Sequence, residues 1–317
     1  MKKISIVIPM FNEAEHIQRT IISAIQSATF AGLQYEVIAV DNNSSDNSKA
    51  LAEQLGATVI VKPDLKIGAL RNAGAEITDG DYIAFLDADI EVPHDWLTSC
   101  LALHSKGNDV IALDCDTPPQ APWFARVWQK RSMSKSGADR YLDWLATPNL
   151  FLTRDIFTSV GGFNSQLASG EDKEFGLRLH AQAAKQVSIA QPAALHWGYE
   201  KTWTEWFKKE FWRQSSHIHL LTSQKNLRLA RFPILCSLTT LSTFLFILIS
   251  LSKSISSSWP FLVLSLITPA LLALRQSDYR SDFTYTCKLC FLHWLRLHIG
   301  FAAIINSAYK LIKREKL

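Results

Sequence analysis

Two pairs of carboxylates carry the chemistry that this sequence can do. Asp87 and Asp89 flank Ala88, directly after the compact apolar run Tyr82 to Leu86. In extended backbone, residues i and i+2 face the same side, so both carboxylates can meet one ligand. Hard divalent cations take carboxylate oxygens, and Mg²⁺ or Mn²⁺ is commonly shared with a phosphate. The plainer reading of an isolated Asp-x-Asp is a strand-end turn with solvated aspartates. The second pair, Glu171 and Asp172, follows Gly170 and opens a helical stretch. Acids at a helix start suit the dipole; one of them can also take the proton of an attacking hydroxyl.

Three single residues join them. Asp41 ends an apolar strand and can accept the ring N–H of a base such as uracil, or close an Asx turn. Arg71 offers a fork that fits a diphosphate, or it is a solvated surface arginine. Glu13 can meet a nucleoside, or act as a first-turn acid favoured by the helix dipole.

The elements that must position these residues alternate. Ile4 to Ile8 reads as a strand, Ala14 to Ser27 as a helix, Tyr35 to Val40 as a strand and Lys49 to Leu55 as a helix capped by Ser45 or Asp46. Ala57 to Val61 is a third strand, Lys66 to Ile77 a helix, and Tyr82 to Leu86 the strand that carries the Asp pair. Such alternation gives βαβ units and a largely parallel sheet. Ligands of open α/β sheets bind beyond the carboxyl ends of the strands, where all these polar residues stand. Asp109 to Leu113 adds a strand, and Asp114-Cys115-Asp116 repeats the acidic spacing in what we read as a structural role. Leu150 to Thr153, Val187 to Ile189 and Ala193 to Leu195 are further short strands, the last leading into His196-Trp197.

Composition agrees with a folded protein: of 317 residues 48% are hydrophobic and 20% charged, and the formal net charge of +4 is too mild for a nucleic-acid binder. Five cysteines without framework spacing point to a reducing compartment. Met1-Lys2-Lys3 leads into a run too short for a signal-peptide core, so the expectation is a first domain in the cytoplasm.

Ile4 to Glu13, the loop Val40 to Asp46, Arg71-Asn72, Phe85 to Asp89, and the later Val160-Gly161-Gly162-Phe163-Asn164 and Gly170-Glu171-Asp172 segments together resemble the family 2 glycosyltransferases. The resemblance implies a GT-A fold, an α/β nucleotide-sugar-binding domain with a Rossmann-like mixed sheet, and inverting transfer of a sugar from a nucleotide-sugar. It assigns Pro9, Phe11 and Glu13 to donor binding, Asp41 to the base, Arg71 to the diphosphate, and Asp87 to the ribose or metal. Asp89 becomes the metal ligand, with His196 completing the metal or diphosphate shell. Asp172 becomes the base and Glu171 orients the acceptor, or the order is reversed. The family's leaning implies a UDP-sugar. Processive members carry Gln-x-x-Arg-Trp; the nearest run here, Gln214-Ser-Ser-His-Ile, lacks the Arg-Trp pair, which favours single-sugar transfer.

The last third reads as a membrane anchor. Residues 201–231 mix Trp203, Trp206, Phe207 and Trp212 with Lys208, Lys209 and Arg213, the composition of a basic interfacial helix. Phe232 to Leu251 and Trp259 to Leu274 carry no charge and form a hairpin with both ends cytoplasmic by the positive-inside rule. Tyr285 to Ile305 is apolar but holds Lys288, His293, Arg296 and His298, costly at mid-bilayer; an in-plane or re-entrant helix is expected, with a third crossing as the alternative. The chain thus divides into a catalytic domain at 1–200, the interfacial region, and an anchor at 232–317. The expected setting is the inner (cytoplasmic) membrane, a lipid-linked or membrane-proximal acceptor, and a homo-oligomer through the C-terminal helices. A polyprenyl phosphate acceptor is the rival within the class. A noncatalytic binding module is the rival outside it. A nucleotidyltransferase would need an early Gly-rich phosphate loop, and none is found.

Overall fold

The structure is a computed structural model that describes residues 2–215, 230–252, 255–277 and 282–313. Two compact units emerge: Met1–Pro119 with Ser136–Tyr199, and Gln120–Lys135 with Glu200–Leu317.

The first is a sheet unit. Its strands are β1 (Lys3–Met10), β2 (Gln34–Asp41), β3 (Thr58–Val61), β4 (Tyr82–Leu86), β5 (Ile90–Glu91), β6 (Val110–Asp116), β7 (Arg140–Tyr141), β8 (Asn149–Thr153) and β9 (Gln186–His196). They form one nine-stranded sheet in the order β3-β2-β1-β4-β8-β6-β9-β5, with β7 on β9. β1 to β4 pair in parallel, whereas β8 enters antiparallel between β4 and β6, so the sheet is mixed. The two short strands expected over 187–195 are one strand, β9, parallel to β6 with a register shift between Leu113 and Cys115.

Helices cover both faces: α1 (Ile17–Phe30), α2 (Ser48–Gln54), α3 (Ile67–Glu76), α4 (Trp96–His104), α6 (Arg154–Ser159) and α7 (Glu171–Ala181). Strand alternation assigns the two cores. Ile4, Ile6 and Ile8 pack with Ile17, Ile21, Ala24, Trp96 and Leu97 on one face. Val7, Val40, Ile83 and Phe85 pack with Leu70, Phe163 and Phe175 on the other. α3 lies so close to the sheet that a Cβ on Gly74 would stand 2.3 Å from Val7 Cγ1. α2 is capped at Asn47 rather than at Ser45 or Asp46, and Asn47 makes no side-chain capping bond. Asp46 accepts the N–H of Ser48 at 3.0 Å one step upstream.

The second unit is helical. It contains α5 (Trp123–Lys130), α8 (Trp203–Ser215), α9 (Arg231–Ser252), α10 (Ile255–Gln276) and α11 (Phe283–Ile312). α5 interrupts the sheet unit in sequence yet packs here, burying Phe124, Val127 and Trp128. Phe124 stacks on Trp203 at 4.3 Å, and Trp128 meets Trp206 edge-on at 5.5 Å. Three segments, Arg231–Ser252, Ser257–Gln276 and Phe283–Lys310, are long and apolar enough to cross a membrane. The costly side chains of α11 find partners within the unit: His293 meets Gln276 at 2.9 Å, His298 meets Thr243 at 3.0 Å, and Arg296 lies 3.8 Å from Glu210. The basic positions Lys225 and Arg228 of the expected interfacial region, Lys253 of the expected hairpin loop, and Ser216 to Ile218 of the non-processive comparison lie outside the described residues.

Candidate active site

The site begins with loops at the carboxyl ends of β1 and β2. Asn12 and Asn43 adopt left-handed backbone, with φ of 56° and 65°, a region asparagine tolerates better than most residues. The two loops are laced together. Asn12 N–H donates to Ser44 Oγ at 2.9 Å, and Ser45 N–H donates to Asn12 Oδ1 at 2.8 Å. Glu13 N–H donates to Ser48 Oγ at 2.7 Å, and Ala14 N–H to Asp46 at 3.0 Å. Asp41 is buried and accepts the Ser44 N–H at 3.1 Å and its hydroxyl at 2.5 Å. The local turn therefore uses this carboxylate. Pro9 is buried within β1, whereas the Phe11 ring stands exposed beside it.

Arg71 organises the centre. Its side chain is 3% exposed, and it reaches Asp87 through Nη2 and Glu171 through Nη1, each at 2.8 Å. Its position on α3 and those of Asp87 beyond β4 and Glu171 at the start of α7 join three elements. Burial opposes the guanidinium charge, but the two carboxylates outweigh it and hold its pKa above the ordinary value. Both terminal nitrogens are thus committed to protein carboxylates. Asp87 is pushed above the usual aspartate range, first by desolvation; Arg71 pulls it down and the nearby Asp89 charge pushes it up.

Asp172 adjoins Glu171 but lies outside that buried bridge. It is part-exposed, and one oxygen accepts the Lys173 N–H at 2.6 Å. Desolvation, then the neighbouring Glu171 charge, raise its pKa to about 6. A carboxylate tuned to that value is a better proton acceptor than an ordinary aspartate and is still ionised at neutral pH.

Asp89 meets the end of β9. β5 pairs Ile90 with His196, which brings His196 Nε2 to 3.1 Å from Asp89 Oδ2. Trp197 N–H donates to Asp89 O at 2.8 Å. A Cβ on Gly198 would fall 1.8 Å from Asp89 Oδ2, so only glycine lets the chain close over this carboxylate. Among the described residues no three His, Cys, Asp or Glu side chains converge as a metal cage. The oxygen and nitrogen donors of Asp89 and His196, with the negative charge of Asp87 nearby, are of the kind that would hold Mg²⁺ or Mn²⁺ together with phosphate oxygens.

The model for glycosyl transferase family 2 matches residues 5–165. The chain belongs to this family. It is 33% identical over 184 residues to glycosyltransferase AglE of Haloferax volcanii, covering 53% of this chain and 58% of that one. It is 25% identical over 238 residues to a validoxylamine A glucosyltransferase of Streptomyces hygroscopicus subsp. jinggangensis (63% and 56% covered). It is 30% identical over 137 residues to an undecaprenyl-phosphate 4-deoxy-4-formamido-L-arabinose transferase of Proteus mirabilis (41% and 42% covered). The matches thus span roughly half of each relative's length. Among solved structures, the mannosyltransferase PcManGT of Pyrobaculum calidifontis, in complex with GDP-Man and Mn²⁺, aligns with a TM-score of 0.57 at 13% identity. That alignment covers 99% of this chain and 88% of that one, a likeness of fold.

Within this family member the residues singled out from sequence fall into linked groups. Asp87, Arg71 and Glu171 form one buried bridge, with Asp172 next to it, and Asp89 and His196 form a second contact. Pro9 and Asp41 stand at the carboxyl ends of β1 and β2, and Phe11 and Glu13 follow β1 in the laced loops. Two contributors stood in quoted motifs but were given no role. Asn72 accepts the Phe163 N–H at 2.9 Å and donates to Phe163 O at 2.8 Å, pinning the glycine turn that leads to α7. Trp197 is clamped by Glu91, which accepts its indole N–H at 2.7 Å, and by the Arg19 guanidinium 3.7 Å from the ring. Asn72 belongs to the quoted Arg71-Asn72 pair and Trp197 follows His196, but their partners, distant in the chain, gave the sequence no sign of what either does.

Proposed function

We propose that the chain is a membrane-anchored inverting glycosyltransferase. It moves a single sugar from a nucleotide-diphosphate sugar, a UDP-sugar by the family's leaning, to a lipid-linked or membrane-proximal acceptor. The observation that carries this reading is the bridge from Asp87 through buried Arg71 to Glu171, which sets a pKa-raised Asp172 beside it.

The acceptor hydroxyl oxygen attacks the anomeric carbon, and the bond from that carbon to the diphosphate oxygen breaks with its electron pair. The hydroxyl proton passes to the Asp172 carboxylate. Glu171, held by Arg71, orients the acceptor. Asp89 and His196 are the residues that would hold the divalent cation, which supplies positive charge to the leaving diphosphate when bound. The laced β1 and β2 loops present Phe11, Glu13 and Asp41 to the nucleoside. Attack from the face opposite the leaving group inverts the anomeric centre.

The apolar helices support attachment to a membrane; the inner membrane, with the sheet unit on the cytoplasmic side, is the setting we propose. The undecaprenyl-phosphate transferase among the relatives favours, as a second reading, a polyprenyl phosphate as acceptor.

The test is nucleoside diphosphate release from a panel of nucleotide-sugars by purified protein, with Mn²⁺ or with EDTA. Metal-dependent release of one nucleotide, lost in Asp89→Ala, is the expected result. Release that persists in EDTA and in Asp89→Ala overturns the metal assignment; no turnover of any donor, with membrane extract supplied as acceptor, overturns the transferase reading.

A further inference from the structure

The segment that carries Asp89 is held by a polar seam on α1. Thr20, Ser23 and Ser27 recur at helical spacing on one face of that helix, and all three are buried. Each bonds the backbone of the segment beyond β4. Thr20 Oγ1 donates to Ala88 O at 2.8 Å, Val92 N–H donates to Ser23 Oγ at 3.2 Å, and Leu97 N–H donates to Ser27 Oγ at 3.0 Å. Buried hydroxyls are costly unless bonded, so these bonds fix the segment against the helix. Arg19, one residue before Thr20, extends the seam to Trp197. Its guanidinium lies 3.7 Å from the centre of the indole, and Glu91 Oε2 accepts the indole N–H at 2.7 Å. The Arg19 Nε stands 3.8 Å from the same Glu91 oxygen. Three parts of the sheet unit thus close on one ring: α1, β5 and the chain leaving β9.

The ladder between β5 and β9 needs that closure. It has two residue pairs, Ile90 with His196 and Glu91 with Leu195, and β5 is the edge strand of the sheet. So short a ladder does little by itself to fix where His196 stands. Trp197, the next residue, is fixed twice: its backbone N–H donates to Asp89 O at 2.8 Å, and its ring is clamped. The two ring contacts are complementary. A cation over the face sets the tilt of the indole, and a charged acceptor on its N–H sets the rotation in its plane. Arg19 and Glu91 are 38% and 36% exposed at their side chains. An ion pair so exposed contributes little stability, so holding the ring is what the pair does.

We infer that Arg19 and Glu91 are positioning residues: through Trp197 they set His196 against Asp89, and so govern how tightly those two donors take a divalent cation. They act at one remove, by way of the ring. Groups that orient metal ligands from outside the ligand set change affinity or activity by about 10–100-fold when lost. The role rests on the proposed reading of Asp89 and His196 as the residues that would hold the cation. It adds to them two side chains, on α1 and β5, that stand outside every motif of the family resemblance.

The test is Mn²⁺ titration of the full chain in nanodiscs, alone and with UDP or GDP. It is read by water proton relaxation, which registers the ion when it tumbles with the protein. Binding at this site is the part lost in Asp89→Ala. Arg19→Met and Glu91→Gln should each raise the half-saturating Mn²⁺ concentration about tenfold or more, with melting temperatures close to wild type. Arg19→Lys, which keeps a cation for the ring face, should fall between. Lys49→Ala, which removes an exposed pair elsewhere in the sheet unit, should bind Mn²⁺ as the wild type does. Wild-type affinity in both Arg19→Met and Glu91→Gln, each folded, overturns the positioning role. Affinity that falls only together with a large drop in melting temperature makes the clamp structural and overturns it too. Failure of the underlying reading looks different: the wild type then binds no Mn²⁺ that Asp89→Ala loses, and the positioning role falls with the metal assignment. Donor turnover in EDTA is scored separately.

Discussion

The sheet unit and the helical unit both bury charge, but they arrange it oppositely. The sheet unit is acidic, with thirteen lysines and arginines against twenty-three aspartates and glutamates, whereas the helical unit is strongly basic. In the first, one buried cation, Arg71, stands between two carboxylates, with Asp172 and Asp89 left at the margins. In the second, one buried carboxylate, Glu210, stands among cations. A buried charge survives only when paired. Among the described residues, carboxylates outnumber the cation at the first centre and cations outnumber the carboxylate at the second. The contrast also separates groups that hold the fold from groups that work.

The largest expected effect breaks the first centre without unfolding it. Asp172→Asn should cut turnover by about 10²–10⁴-fold, the usual contribution of a general base, measured as initial rate under saturating donor. Its pKa is raised to about 6, so the wild-type rate should rise with pH through about 6 and then level. The stability sign runs the other way. The folded state binds this proton more tightly than the unfolded state, so stability from this group is full at low pH and declines as pH rises through about 6. Asp172→Asn should therefore keep or raise the melting temperature at neutral pH. A large loss of stability would make Asp172 a structural residue.

Arg71→Met tests the bridge. It leaves Asp87 and Glu171 facing each other unpaired, and loss of one partner from a buried ion pair costs about 3–5 kcal/mol. Chemical denaturation of the variant should show that loss. An unchanged midpoint would mean that the bridge does not hold the three elements together.

Glu210→Gln sharpens the contrast with Asp172. Here the carboxylate is the minority charge, so neutralising it should destabilise by about 2–3 kcal/mol, since hydrogen bonds to charged groups are worth about that much. A melting temperature equal to wild type would place the network's stability elsewhere. At the small end, Lys49→Ala removes an exposed i,i+4 pair with Glu53 and should shift stability by less than about 0.5 kcal/mol. A larger shift would show that surface charge matters more in the acidic unit than its buried bridge suggests.

Much of this was legible in the chain. The period-2 run at Ile4, Ile6 and Ile8 and the helical spacing at Ile17, Ile21 and Ile25 specify β1 and α1 because local periodicity needs no distant partner. The two acids after Leu86 stand at a strand end for the same reason, and the uncharged runs that became α9 and α10 announced themselves by length. What sequence left open at Asp41 and Arg71 was a matter of partners. Asp41 is taken by Ser44, three residues on, and Arg71 by Asp87 and Glu171, the latter a hundred residues away. A side chain's spacing shows which way it faces and not what waits there.

The strand order shows the same limit. β8 slips antiparallel between β4 and β6 through pairings such as Phe85 with Leu150, which no local pattern encodes. α5 likewise reads as part of the first half of the chain but spends its apolar face on Trp203 and Trp206 of the helical unit. By itself the sequence determined the elements, the acidic motifs and the apolar helices, because propensity, periodicity and hydropathy act over a few neighbouring residues. Only the tertiary structure decided that Arg71 bridges two carboxylates, that Gly198 lets β9 close His196 onto Asp89, and that Glu210 sits among three arginines. Those outcomes depend on desolvation and on distances between residues far apart in the chain.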